Sequence, residues 1–194
     1  MKKILMLALV LLLAGCAALA DEPTKGIWQL KTFVDDYDIP LDVYYLEGTG
    51  FKGQYTKGKN QDALLLGELY FQENPELKSE SIHLRLLEGG GKAVKNLTRE
   101  PMVYAVTMTN AAGTQRLFEG TMAVKTECVA LEGEDAQAIA AALKAGGKVQ
   151  FHLEQKGEVP AHYAFVIEDA AGFDRAYYEW DEVNRFTEDG WFME

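Results

Sequence analysis

The sequence predicts a mainly β protein, a single-domain antiparallel β-sandwich or open barrel of about eight or nine strands with two short helices. Apolar residues recur at every second position through most of the chain, and helical spacing appears in only two segments. Glycine- or asparagine-rich connections separate the alternating runs. The composition agrees, with 48% hydrophobic, 25% charged and 11% aromatic residues. These are ordinary values for a chain that buries a core, and they exclude disordered and multi-span membrane classes.

Trp28, Leu30 and Val34 alternate with Gln29 and Lys31 and open the first strand. Residues 41–47 and 64–71 read as two more, and the polar, glycine-bearing stretch 49–62 between them reads as a long hairpin tip. Ile82, Leu84 and Leu86 alternate with His83 and Arg85. Met102, Tyr104, Val106 and Met108 form a further row; Asn110 to Gly113 supplies a turn, and residues 115–124 return as the hairpin partner. Cys128 lies in an alternating run in which a buried, inert thiol is the default, and its neighbours Glu127 and Glu132 oppose thiolate formation.

Ala136, Ile139, Ala140 and Leu143 fall at i, i+3, i+4 and i+7. Glu134 and Asp135 stand where the positive helix end favours acids, and Lys144 and Gly146 mark the exit. Val149, Phe151 and Leu153, then Tyr163, Phe165 and Ile167, give the last two strands. Phe173, Ala176, Tyr177 and Trp180 make a second helical stripe, opened by Gly172. Both helices are expected to cap the sheets by burying one face. From Gly26 onward no break is long or polar enough for a linker, so residues 26–194 read as one domain.

The N-terminus reads as an address. Lys2 and Lys3 precede an apolar stretch from Ile4 to Ala14, the pattern of a cleaved export signal over residues 1–15. Leu13-Ala14-Gly15-Cys16 resembles the lipobox of bacterial lipoproteins, in which the cysteine is acylated and the chain cut before it. Ala18-Leu19-Ala20 offers an alternative cut for the ordinary signal peptidase. The lipobox reading makes Cys16 the lipidation site and residues 16–25 a short tether. The protein is then expected in the periplasm, held by a lipid anchor; Ala17 after the cysteine is the pattern associated with the outer membrane. Either cut leaves Cys128 as the single thiol and no intramolecular disulfide. Loss of Lys2 and Lys3 moves the formal charge from −11 to −13. Such a surface repels nucleic acid and favours a basic protein or peptide partner.

Three segments carry a resemblance. Residues 142–151, 163–167 and 171–177, the last reading Ala-Gly-Phe-Asp-Arg-Ala-Tyr, resemble the tail of bacterial envelope proteins related to the invasion-associated locus B proteins. Trp28 with Phe33-Val34-Asp35-Asp36-Tyr37 and Pro40 is similar to an opening seen in exported proteins of unassigned function. The resemblance implies a small β-sandwich exported to the periplasm, and it brings no catalytic residues with it.

Chemistry-bearing motifs are sparse. His83, His152 and His162 lack metal-ligand spacing, so no metal and no cofactor is expected. Asp35, Asp36, Asp38 and Asp42 cluster around Pro40 without the EF-hand pattern, and a loop capped by its own Asp side chains accounts for them. Ser79 and Ser81 lie in no nucleophile elbow, and no phosphate-binding glycine loop precedes a helix, so the chain is not expected to be an enzyme. For binding, the candidates are Phe51, Lys52, Tyr55, Lys57 and Lys59, a locally basic and aromatic patch, with Trp191 near the C-terminus. The leading expectation is a non-enzymatic envelope lipoprotein that binds a protein or peptide. An acidic immunity or inhibitor protein facing a basic toxin or enzyme is the alternative, and a glycan hydrolase the third. Radiolabelled palmitate is expected to label the chain and to be lost in Cys16→Ala; an unlabelled wild type contradicts the lipobox.

Overall fold

The period-two pattern builds ten strands, all antiparallel and all in one sheet among the described residues. The computed structural model describes residues 26–35, 37–58, 60–74, 79–89, 91–157 and 160–189. The expected signal peptide, Cys16, the tether, Lys59 and Trp191 lie outside these residues. The strands are β1 (Trp28–Val34), β2 (Pro40–Lys57), β3 (Asn60–Asn74), β4 (Ser79–Glu88), β5 (Lys92–Ala93), β6 (Met102–Thr109), β7 (Gln115–Met122), β8 (Cys128–Glu132), β9 (Val149–Gln155) and β10 (Ala161–Ile167). Two helices join them, α1 (Gly133–Lys144) and α2 (Phe173–Asp189).

Following the pairings β2-β10-β9-β6-β7-β8-β4-β3 and back to β2 traces a closed eight-stranded barrel. The mainly β, antiparallel architecture with two helices is as the alternation predicts, in its barrel form and with the edges joined. Closure is thinnest between β7 and β8, where Thr121↔Ala130 is the register pair. β1 lies outside the closed circuit. It shares one edge of β2 with β10: β1 pairs over Gly48 back to Pro40, and β10 pairs over Gly53 to Lys57.

Inward-phase side chains fill the barrel. Leu65, Leu69, Phe71, Ile82, Leu84, Leu86, Tyr104, Val106, Phe151, Leu153, Tyr163 and Phe165 are all buried. The Phe165 ring stacks on Phe51 at 6.0 Å and on Phe151 at 5.1 Å between centroids. Glycine makes the room for these rings. A Cβ at Gly67 would stand 2.8 Å from the Phe165 ring, one at Gly48 would collide with the Trp28 ring, and one at Gly53 with the Ala164 carbonyl. Between Gly48 and Phe51 the register with β3 slips, and Gly50 takes a positive φ of 79°. This bulge switches the inward phase of β2 from even to odd positions and bends the strand.

The described part of the stretch 49–62 is therefore mostly β strand, continuing β2 and β3. Within it Gly53 lets the strand close on the Ala164 carbonyl and the Phe165 backbone, a packing role that composition alone reads as loop. Phe51 is core, 4% exposed.

Both helices close the same end of the barrel. All four predicted apolar positions of each helix are buried. Phe173 packs edge-on to Trp28 at 4.8 Å and against Phe71 at 5.0 Å. The Trp180 indole N–H donates to the Tyr44 carbonyl at 3.0 Å, and Lys144 Nζ lies 3.4 Å from the Tyr177 ring centroid. At 17 residues, α2 is longer than the short helix expected. At the opposite end the segment 94–101 crosses the mouth around the fully buried Asn96. Its amide donates to the Glu100 and Met122 carbonyls, both at 2.9 Å, and its Oδ1 accepts from the Thr98 N–H and hydroxyl.

Phe165→Ala is expected to lower unfolding free energy by about 3–5 kcal/mol in urea titration, and Gly67→Ala by about 1–3 kcal/mol through overpacking. Leu64→Ala, on the exposed phase of the same strand, is expected to change it by less than about 0.5 kcal/mol. Equal effects at all three sites would contradict a filled lumen.

Candidate functional site

Over Pro40 to Tyr45, β2 has β1 as its strand partner, and β3 joins only from Leu46 onward. The two strands thus extend past the barrel as a ribbon. Asp35 folds the connection as the sequence suggests: its Oδ1 accepts from the backbone N–H of Tyr37 at 2.8 Å and of Ile39 at 2.9 Å. Asp36 and the Asp42 side chain lie outside what is described.

Most of the ribbon's exposed described residues are large and apolar, with Asp38 exposed among them. Tyr37 is 84% exposed, Ile39 57%, Val43 53% and Val34 52%, with Leu41 and Phe33 at about the same level as each other and still exposed. Single exposed apolar residues are ordinary, but here six lie on one short ribbon, and exposed apolar surface at that density is of the kind that marks interaction sites. β1 is also the end strand of the sheet, with β2 as its one strand neighbour among the described residues.

The patch runs into a groove on the outer wall. Outward positions of β1, β2, β3, β4 and β8 line about 410 Å³ between Phe33, Tyr45, Glu47, Tyr70, Gln72, His83, Arg85, Glu127 and Cys128. Phe33 and Tyr45 pack at 4.6 Å, and Tyr45 and Tyr70 at 5.9 Å, so three aromatic rings form one wall. The floor is ionic. Arg85 reaches Glu127 at 2.8 Å and Glu68 at 3.4 Å, Lys95 reaches Glu127 at 3.6 Å, and Lys31 pairs with the buried Glu47. Tyr70 donates its hydroxyl to Glu68 at 2.5 Å.

Most of the perturbed ionisable groups sit here. The Arg85 guanidinium, followed by Lys95, holds the Glu127 carboxyl below the usual range, so Glu127 stays ionised and is unsuited to donate a proton. Burial and then the Glu68 hydrogen bond push the Tyr70 phenol well up, and burial raises Tyr45. Burial also raises Cys128 and lowers His83. Cys128 is half-buried and faces outward toward Arg85, not inward as the alternation suggests. It is diagonal to His83 across β4 and β8. With the thiol raised and the imidazole lowered, both are neutral, which is the reverse of a thiolate–imidazolium nucleophile. The arrangement is suited to holding an extended polypeptide: aromatic area, charge-assisted acceptors and a strand edge lie side by side.

The residues nominated from sequence are scattered. Lys52 is exposed on the barrel wall, and Tyr55 is half-buried and stacks on Tyr163 at 6.1 Å. Lys57 is exposed at the mouth, 4.0 Å from Glu88. Phe51 is in the core. Tyr45, Tyr70 and Arg85 were not nominated; the signal for them was their place on the outward phase of strands whose inward phase is unmistakable. Among the described residues, no three His, Cys, Asp or Glu side chains gather around one point. No family model, no curated protein and no solved structure matches the chain.

His83 gives this site a pH signature. Its Nε2 stands 2.8 Å from Gln72 Nε2 and 3.1 Å from Ser81 Oγ, and burial favours the neutral ring. A histidine with a depressed folded pKa is protonated first in the unfolded chain, so below about pH 6.5 the unfolded state binds more protons and stability falls as pH drops. The urea midpoint of the wild type is expected to fall more steeply from about pH 7 to pH 5 than that of His83→Gln. Equal slopes would show a solvated imidazole.

Proposed function

We propose that this chain is a non-enzymatic cell-envelope binding module that holds a basic protein or peptide against the β1–β2 ribbon and the adjoining groove. The observation that carries the reading is the ribbon itself. Six large apolar side chains project beyond a barrel whose interior is already filled. Exposing them costs solubility, and a partner that covers them recovers the hydrophobic gain of about 25 cal/mol per Å² buried. Asp35 and Asp38 at the ribbon tip and a formal chain charge of −11 favour a basic partner and speed its approach. The same acidity disfavours insertion of the ribbon into an anionic lipid surface.

The lipobox supports attachment through Cys16. Ten residues, 16–25, then span at most about 35 Å when extended, which keeps the barrel close to the bilayer that holds it. The neutral state of Cys128 and His83 and the ionised state of Glu127 support a binding role over nucleophilic or acid–base catalysis. A basic toxin or enzyme as the partner is the immunity version of the same reading, and it uses the same surface.

Photo-crosslinking in bacterial cells carrying the gene tests this. A benzoyl-phenylalanine at position 37 or 43 is expected to give one protein adduct of definite mass. That adduct should weaken with added salt and disappear in Ile39→Ser/Leu41→Ser, a variant whose circular dichroism is unchanged. Adducts to lipid alone, or yields no higher than from the exposed Leu117 on the barrel wall, would overturn the reading.

A further inference from the structure

On the wall of the barrel opposite the groove, β9 and β10 bring two of the three histidines together. His152 and Glu154 are two apart on β9, so both side chains leave the same outer face. On β10, His162 lies directly opposite Glu154, and Ala164 directly opposite His152. The imidazoles are therefore diagonal neighbours, and their rings stack with 5.8 Å between centroids and 22° between planes. Ten residues of sequence separate them; the hairpin register removes that distance.

The two rings differ from His83 in what else holds them. His83 is tied to Gln72 and Ser81. Neither His152 nor His162 makes a hydrogen bond or an ion pair with another described residue. His152 and Glu154 are exposed and His162 is half-buried. Three cross-strand neighbours on this face, Thr56, Thr107 and Ala164, are small.

We propose that His152 and His162, with the Glu154 carboxylate beside them, form a surface site for a divalent transition-metal ion. Two imidazoles and a carboxylate are nitrogen and oxygen donors that suit Cu²⁺, Ni²⁺ and Zn²⁺ and are poor ligands for Mg²⁺ or Ca²⁺. As the side chains stand, three donors do not surround one point. The site therefore requires the exposed His152 ring and Glu154 side chain to turn between ordinary rotamers toward His162. A zinc ion shared between two imidazoles forms bonds of about 2.0–2.1 Å to each. Solvent completes the coordination sphere, because the face is open.

The test is calorimetric titration of the tag-free full chain with CuCl₂ and with ZnCl₂, together with electron paramagnetic resonance of the Cu²⁺ complex. The wild type is expected to take one Cu²⁺ per chain more tightly than Zn²⁺, with two imidazole nitrogens in the spectrum. His152→Ala and His162→Ala should each weaken Cu²⁺ binding about tenfold or more and leave one nitrogen. The double variant should lose the site, while His83→Gln binds as wild type. Both histidines are on the outer face, so unchanged melting curves are expected to accompany the loss. Binding that survives in the double variant, a Cu²⁺ spectrum without imidazole nitrogen, or no one-to-one complex would overturn the proposal.

Discussion

An eight-stranded barrel has a lumen that side chains fill, and several large aromatic rings fit inside only where the position facing them carries no side chain. That constraint organises this protein. Gly67 faces the Phe165 ring, Gly48 faces the Trp28 and Phe51 rings, and Gly53 lets the β2 backbone approach the Ala164 carbonyl. Gly120 does the same for Val129 across the thin β7–β8 seam. A methyl group at any of the first three positions forces aromatic rings or strands apart, because none of the neighbours is the loose end of a flexible side chain.

The same packing shapes the outer surface. Tyr104, Phe151, Phe165 and Tyr163 are buried inside the barrel, and the aromatic groove opens on its outer wall. The bulge from Gly48 to Phe51, which turns Phe51 into the core, also frees the first part of β2 to leave the wall with β1. The exposed ribbon is thus a consequence of how the barrel closes, and α2 braces its base through Phe173 on Trp28 and Trp180 on Tyr44. Charged groups then order the outer groove: Arg85 ties β4 to Glu68 of β3 and to Glu127 beside β8, and Lys31 ties β1 to Glu47 of β2. These links flank the Tyr45–Tyr70 ring pair, whose centroids lie 5.9 Å apart.

Much of this is legible in the sequence where one periodicity holds over a whole element. The β4, β6, β9 and β10 rows and the helical stripes Ala136–Leu143 and Phe173–Trp180 read correctly because each buries one face along its length. The asparagine turn at 110–113 reads correctly for a local reason, since Asn110 Oδ1 accepts from Ala112 and Thr114 within the turn. What the sequence conceals are features created by pairing. β2 changes phase at its bulge, so Phe51, Gly53 and Tyr55 look like a polar loop when their inward role depends on rings from β1 and β10. Cys128 sits on the outward side of an alternation whose phase only its β4 partner fixes. The outer groove draws on five strands far apart in the chain, and the histidine pair on a hairpin register. No local window contains the groove, and the histidine pair has no helical or strand spacing within its own window.

Xenon binding in a pressurised crystal of the full chain tests most directly whether the interior is closed to ligands and recognition is left to the outer surface. Xenon enters apolar cavities of side-chain size. The expected map shows none between Phe51, Phe151 and Phe165, or anywhere within the ring of eight strands. An ordered xenon atom inside the barrel would contradict the account, because it would reveal room for a ligand at the place argued to be full.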